Sequence, residues 1–236
     1  MLLGIELYYS DLSDNKNVLL KGEEIHHLKN VMRHKIGDEI YVTNGKGNII
    51  KCVIDNISKD KVNCNIIETY TFHNHLLNIY FCIPKLKNND RFEFAIEKCV
   101  ELGITNFIFF SSERTIKQSI KEERIKKLLI SSLKQSLRAW LPEINYVKNI
   151  SDLNNYEGRK ILLEQNTNDL LVDFLFKNKD KIINEKTYFI FGPEGGFTEK
   201  EINNLNSVNL LRLTENRLRS ETAIITTASL IATLIQ

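Results

Sequence analysis

From Leu77 onward the chain alternates short apolar runs with stretches of helical period, and that alternation restricts the fold more than any other feature. LNIYFCIP (77–84), FIFF (107–110), KILLEQ (160–165), TYFIF (187–191) and LLRL (210–213) read as strands. RFEFAIEKCVELG, DLLVDFLF (169–176), EKEINNLN and ETAIITTASLIATLI read as helices between or after them. In the first of these, Phe92, Ile96, Cys99 and Val100 share one side and Gly103 stops the helix. Strand and helix in alternation predict an α/β domain with a mostly parallel sheet.

The first seventy residues differ. EIYVTN, a GKGN turn and IIKCVIDNI predict a β-hairpin, followed by a turn at 58–61 and the strand VNCNIIE. EEIHHLKNVMRH predicts one short helix with Ile25, Leu28, Val31 and Met32 on a single apolar face, ended by Gly37-Asp38. TFHNHL (71–76) reads as a linker, which divides the chain into residues 1–72 and 73–236. Further on, Ser119 with Glu122 predicts a capping box opening a helix toward Arg138.

Composition removes several classes. An apolar fraction of 42% supports a packed core rather than a disordered or fibrous chain. MLLGIELYYS has no basic region before an apolar stretch, so no signal peptide is expected, and the run from Ala223 to Ile235 is too short to span a membrane. A cytoplasmic protein is the expectation. Cysteines 52, 64, 82 and 99 form no Cys-x-x-Cys pair and read as buried free thiols, and neither His26-His27 nor His73-x-His75 has ligands at metal-site spacing. Net charge is only +2, and the basic residues crowded between Lys117 and Arg138 read as a solvated helix face before they read as a phosphate stripe.

The sharpest local pattern is FGPEGGFTEKEI (191–202). An apolar strand enters Gly192-Pro193-Glu194-Gly195-Gly196, and a helix follows with Thr198 and Glu201 as capping box and Phe197 and Ile202 as hydrophobic staple. Three glycines permit positive φ and close approach of a ligand, though a tight turn that binds nothing has the same composition. The dinucleotide fingerprint and the P-loop pattern are both absent, and Glu194 disfavours a polyphosphate while suiting a cation such as a sulfonium. A second pattern, LRLTENRLRSETA, leads from a strand through Arg217, Arg219 and Glu221 into a helix rich in small residues. Loops leaving successive parallel strands face one edge of the sheet, where α/β ligands bind.

GPEGGFTEKE, NRLRSETA, EKCVELG followed by FFSSERT, and EEIHHLKNVMRHKIGDEI, together covering nearly the whole chain, resemble the RsmE family of small-subunit ribosomal RNA uracil-N3 methyltransferases in the SPOUT superfamily. The resemblance implies a PUA-like β-barrel for RNA, a trefoil-knotted α/β domain, a homodimer, S-adenosylmethionine as cofactor and 16S ribosomal RNA of the small subunit as partner; the spacing of Cys and His leaves no metal site expected. Carried over, cofactor contacts fall on Leu163, Glu164, Gln165, Gly192, Pro193, Glu194, Gly195, Gly196, Leu213, Leu218, Arg219, Ser220, Glu221, Thr222 and Ala223. Arg138 and Arg219 are candidates to stabilise the base anion, with Glu221 a candidate base. Arg33, Lys35 and Arg91 are candidate RNA contacts. The chain departs from the family at Thr214, where glycine is usual, at Arg217, where an aliphatic residue is usual, and at Lys134-Gln135-Ser136-Leu137-Arg138, which lacks an acidic residue. Two other readings stay open: a non-catalytic RNA-binding assembly factor with a degenerate cofactor loop, and a related knotted enzyme acting on transfer RNA. A nucleotide-binding enzyme is weaker still without the phosphate motifs.

Overall fold

The computed structural model describes residues 4–115 and 120–235, which form two compact units. Ser119 of the expected capping box lies outside the described residues. The first unit comprises the chain up to Asn74 together with Ile130–Leu141, and the second comprises His75–Leu129 and the chain from Pro142.

Five strands make the first unit: β1 (Leu7–Tyr9), β2 (Asn17–Leu20), β3 (Glu39–Thr43), β4 (Asn48–Ile57) and β5 (Val62–Thr71), in sheet order β1-β3-β4-β5-β2. The chain just past β1 meets β2 through a Ser13–Val18 bridge and the Leu19 N–H bond to Leu12 O at 2.9 Å, so the two edges of the sheet come together. Tyr8, Leu20, Leu28, Val42, Cys52, Ile54 and Val62 fill the interior. The expected linker is ordered at both ends: Thr71 still belongs to β5, and Leu76 is buried.

The helix of this unit departs from expectation. It is α-helical only as α1 (Glu23–His26) and then opens into a π-helical turn, His27–Val31, with Met32 N–H bonded to His27 O at 3.0 Å. That wider turn rotates the following side chains off the apolar face. Ile25 and Leu28 are buried, whereas Val31 and Met32 are 56% and 41% exposed.

The surprise of this unit is its last segment. Gly47 N–H bonds to Ala139 O at 2.9 Å, Leu141 N–H bonds to Gly45 O at 2.9 Å, and the Trp140 indole N–H bonds to Phe72 O at 2.9 Å. The GKGN turn therefore forms the seat for a segment almost a hundred residues later. A Cβ on Gly47, whose φ is +95°, would stand 2.5 Å from the Trp140 ring.

The second unit holds β6 (Ile79–Pro84), α2 (Asn89–Glu101), β7 (Asn106–Ser111), the start of α3 (Glu122–Gln135), β8 (Glu143–Asn149), β9 (Arg159–Leu163), α4 (Leu171–Asn184), β10 (Thr187–Ile190), α5 (Glu199–Asn203), β11 (Val208–Leu211) and α6 (Ser220–Ile235). Its six strands run in the order β11-β9-β10-β6-β7-β8, and every pairing is parallel. Alternate residues separate the two faces. Cys82, Ile108, Leu162 and Ile190 lie in register on one, packed with Phe197 and Leu205. Phe81, Phe107, Ile161 and Phe189 form the adjacent rows, and Phe81 also meets Phe191. Burial on both faces explains why these strands read as unbroken apolar runs. α6 packs on both α2 and α4. Gly103 ends α2 as expected: its N–H bonds to Val100 O, and that of Ile104 bonds to Cys99 O, each at 2.9 Å. All four cysteines are buried free thiols, and burial pushes those of Cys82 and Cys99 up. Among the described residues no helix is long and apolar enough to cross a membrane, and no cluster of metal-ligating side chains occurs.

Candidate functional site

Strand order decides where the site is. β11, β9 and β10 are neighbours and parallel, so their carboxyl ends emerge side by side. The three loops that follow enclose a cleft of about 640 Å³.

The glycine loop after β10 turns on a Gly196 N–H bond to Pro193 O at 2.9 Å, with Gly196 at φ +69°. Thr198 then caps α5: its side chain accepts the Glu201 N–H at 3.2 Å, while the Glu201 carboxylate accepts the Thr198 N–H at 2.9 Å. Glu201 does more than cap. Its Oε1 also accepts the Ser112 hydroxyl at 2.7 Å and the Glu113 N–H at 2.9 Å. Burial pushes its pKa up, but those donors outweigh burial and hold the carboxyl below its usual range. Arg114 donates to Gly195 O at 2.7 Å. The Ser-Glu-Arg-Thr segment after β7 is thus a brace for the glycine loop.

The loop after β9 is tied to the loop after β11. Gln165 Nε2 donates to Thr214 O and Glu215 O, both at 3.2 Å. Glu164 commits one carboxylate oxygen to the N–H groups of Gln165 (2.8 Å) and Asn166 (3.2 Å). Thr214 does not intrude on the cleft: its hydroxyl donates to Asn216 O at 2.9 Å and accepts the Asn216 N–H at 3.1 Å, closing a local turn. Finally Ser220, the first residue of α6, donates to Gly192 O at 2.9 Å and locks the arginine-bearing loop to the glycine loop.

Leu163, Glu164, Gln165, Gly192, Pro193, Glu194, Gly195, Gly196, Leu213, Leu218, Arg219, Ser220 and Ala223 all line this cleft. Glu221 and Thr222 do not line it. Thr222 is exposed on α6, and Glu221 is buried with Oε1 3.5 Å from Arg91 Nε. Arg91, read from the sequence as a candidate RNA contact, lines the cleft. Arg33 and Lys35 are exposed in the first unit. Arg138 also belongs to the first unit, where burial lowers its guanidinium pKa. Sequence reasoning missed Asn166, Phe191 and Phe197 as lining residues; it marks Arg217 as a charge of the second loop and as a departure but leaves it out of the named cofactor contacts. Phe191 was discoverable as the last residue of an apolar strand, where the chain leaves the sheet.

Glu194 shapes the polarity of the wall. Its Oε1 accepts the Lys87 N–H at 2.9 Å, while its Oε2 is buried without a partner among the described residues. Apolar Leu163, Phe191, Leu213 and Leu218 complete the lining. An apolar slot with a few convergent polar groups suits a small organic ligand.

Residues 73–232 match the family model of an RNA methyltransferase domain, and residues 20–67 match that of an RNA methyltransferase PUA domain. The chain is 31% identical to ribosomal RNA small subunit methyltransferase E of Bacillus subtilis, over 93% of this chain and 91% of the relative. It is 26% identical to that of Aquifex aeolicus, over 96% and 99%. Among solved structures, a ribosomal RNA small subunit methyltransferase E from Neisseria gonorrhoeae, bound to S-adenosyl methionine, superposes with a TM-score of 0.85 at 26% identity and 98% coverage of both chains. With the fold, the loops and these matches in agreement, the chain belongs to the ribosomal RNA small subunit methyltransferase E family of RNA methyltransferases.

Proposed function

We propose that this protein methylates uracil N3 at one site of 16S ribosomal RNA in the small subunit, with S-adenosylmethionine as donor. The observation that carries the reading is the junction of the glycine loop and the arginine-bearing loop around one cleft, locked by the Ser220–Gly192 bond of 2.9 Å. The names of the relatives and the cofactor in the gonococcal structure support it.

The residues present fit such a cofactor. Leu163, Phe191, Leu213 and Leu218 would take its adenine and keep water out, backbone groups of the glycine loop would bind its polar edges, and the unpartnered Glu194 Oε2 would accept from a donor or face positive charge. S-adenosylmethionine supplies an electrophilic methyl group on a sulfonium. The chain's own part is to prepare the nucleophile. Uracil N3 must lose its proton as the new N–C bond forms and the S–C bond breaks, and negative charge spreads onto O2 and O4. Arg219 in the cleft wall stabilises that charge. Arg33 and Lys35 hold RNA phosphates. The reading includes a trefoil-knotted second unit, a homodimer and a cytoplasmic location.

Calorimetry with S-adenosylmethionine, followed by methyl transfer to small-subunit particles lacking the mark and to transfer RNA, tests it. Saturable binding and 3-methyluridine in 16S RNA alone are expected. Absence of saturable binding would reduce the protein to an assembly factor, and methyl entering only transfer RNA would replace the substrate.

A further inference from the structure

Glu221 sits in the first turn of α6, only 9% exposed, with Oε2 buried and unpartnered among the described residues. A carboxylate oxygen left unmatched in a buried place is costly, and the helix dipole offsets only part of that cost. Glu221 does not line the cleft. What it faces is Arg91 in the first turn of α2, through Nε at 3.5 Å, and Arg91 does line the cleft. The pairing uses the inner nitrogen of the guanidinium. No bond from the two terminal nitrogens to another described residue accompanies it. The 3.5 Å ion pair draws the Nε side of the guanidinium toward Glu221, and the two terminal nitrogens of a guanidinium are a planar pair of donors.

Three arginines line one cleft: Arg91 on α2, and Arg217 and Arg219 on the loop before α6, of which Arg219 lies directly before the Ser220 that ties this loop to the glycine loop. The anion formed at N3 of uracil carries its charge on two oxygens flanking that nitrogen. We propose that Arg91 is the second oxyanion donor, acting on one uracil oxygen while Arg219 acts on the other, and that Glu221 is a positioning residue that fixes Arg91 rather than the base. The proton leaves N3 for solvent, and the charge of the anion is cancelled as the sulfonium becomes a thioether. This inference rests on the uracil-N3 reading above.

The test uses the full-length protein, saturating S-adenosylmethionine and small-subunit particles lacking the mark. Arg91→Ala is expected to lower kcat about 100-fold while calorimetric affinity for S-adenosylmethionine is kept. Glu221→Gln is expected to lower kcat less, to leave the pH–rate profile with its wild-type shape, and to add nothing on top of Arg91→Ala. Glu221→Asp should recover part of the loss. Thermal midpoints and the Arg91→Lys variant, which keeps charge but not the fork, separate positioning from misfolding. A Glu221→Gln enzyme whose rate no longer rises with pH would make Glu221 the base and overturn the proposal. An Arg91→Ala enzyme with normal kcat and weaker, less salt-sensitive RNA binding would make Arg91 a phosphate contact and overturn it equally. Failure of the unaltered protein to bind the cofactor would instead defeat the functional reading itself.

Discussion

Glu201 shows how much one side chain can organise. It holds the glycine loop to the turn after β7 through the Ser112 hydroxyl and the N–H groups of Glu113 and Thr198. Glu201→Gln turns an acceptor toward those donors into an amide that competes with them, and the expected loss is roughly 2–3 kcal/mol, read as a lower denaturant midpoint. Because the folded carboxyl titrates below its usual range, its stabilisation is complete above the unfolded value of about 4.3 and disappears as pH falls through the folded one. The gap between wild type and Glu201→Gln should thus be full at pH 7 and shrink below about pH 4; a gap constant with pH would remove the carboxylate from this role. The capping box itself was legible, since Thr198 and Glu201 are local. The bonds to Ser112 and Glu113 were not, because they join residues almost ninety positions apart. Arg91 illustrates the same limit: in the sequence it reads only as a candidate RNA contact, and its pairing with Glu221 follows from α2 packing on α6.

Elements buried on both faces announced themselves, while those with weaker patterns did not. β8 (EINYVKN) is an edge strand with mostly half-buried or exposed side chains, so no apolar run marks it. The π turn after α1 is equally silent, since its residues have a good helical spacing and only the wider hydrogen bonding moves Val31 and Met32 outward. The β4 entry turn carries a sharper consequence. Gly47→Ala forces a methyl group against Trp140 and a side chain into φ +95°, and a cost of about 3 kcal/mol is expected, lowering the thermal midpoint of a chain this size by roughly 6–12 °C. A midpoint within about a degree of wild type would show that Trp140 yields freely.

At the scale of the whole molecule, charge is nearly balanced at +2, so affinity for RNA depends on where cations stand. Arg33 and Lys35 are exposed on the first unit. In a double alanine variant, each phosphate that loses its cation is expected to flatten the slope of log affinity against log salt by roughly 0.7–0.9. An unchanged slope would show that neither side chain holds a phosphate. The switch between hairpin and alternating patterns suggested a cut at residue 72, whereas the recruitment of Ile130–Leu141 into the first unit had no signal in the sequence: a helix end followed by Ala139-Trp140-Leu141 has no local mark of its destination. The return of that segment to the GKGN turn means that the chain is not a string of separable modules. A gene cut after the β-rich part would yield a fragment missing its own final piece, and recombination that exchanges first units among such enzymes must carry over two distant stretches of coding sequence together.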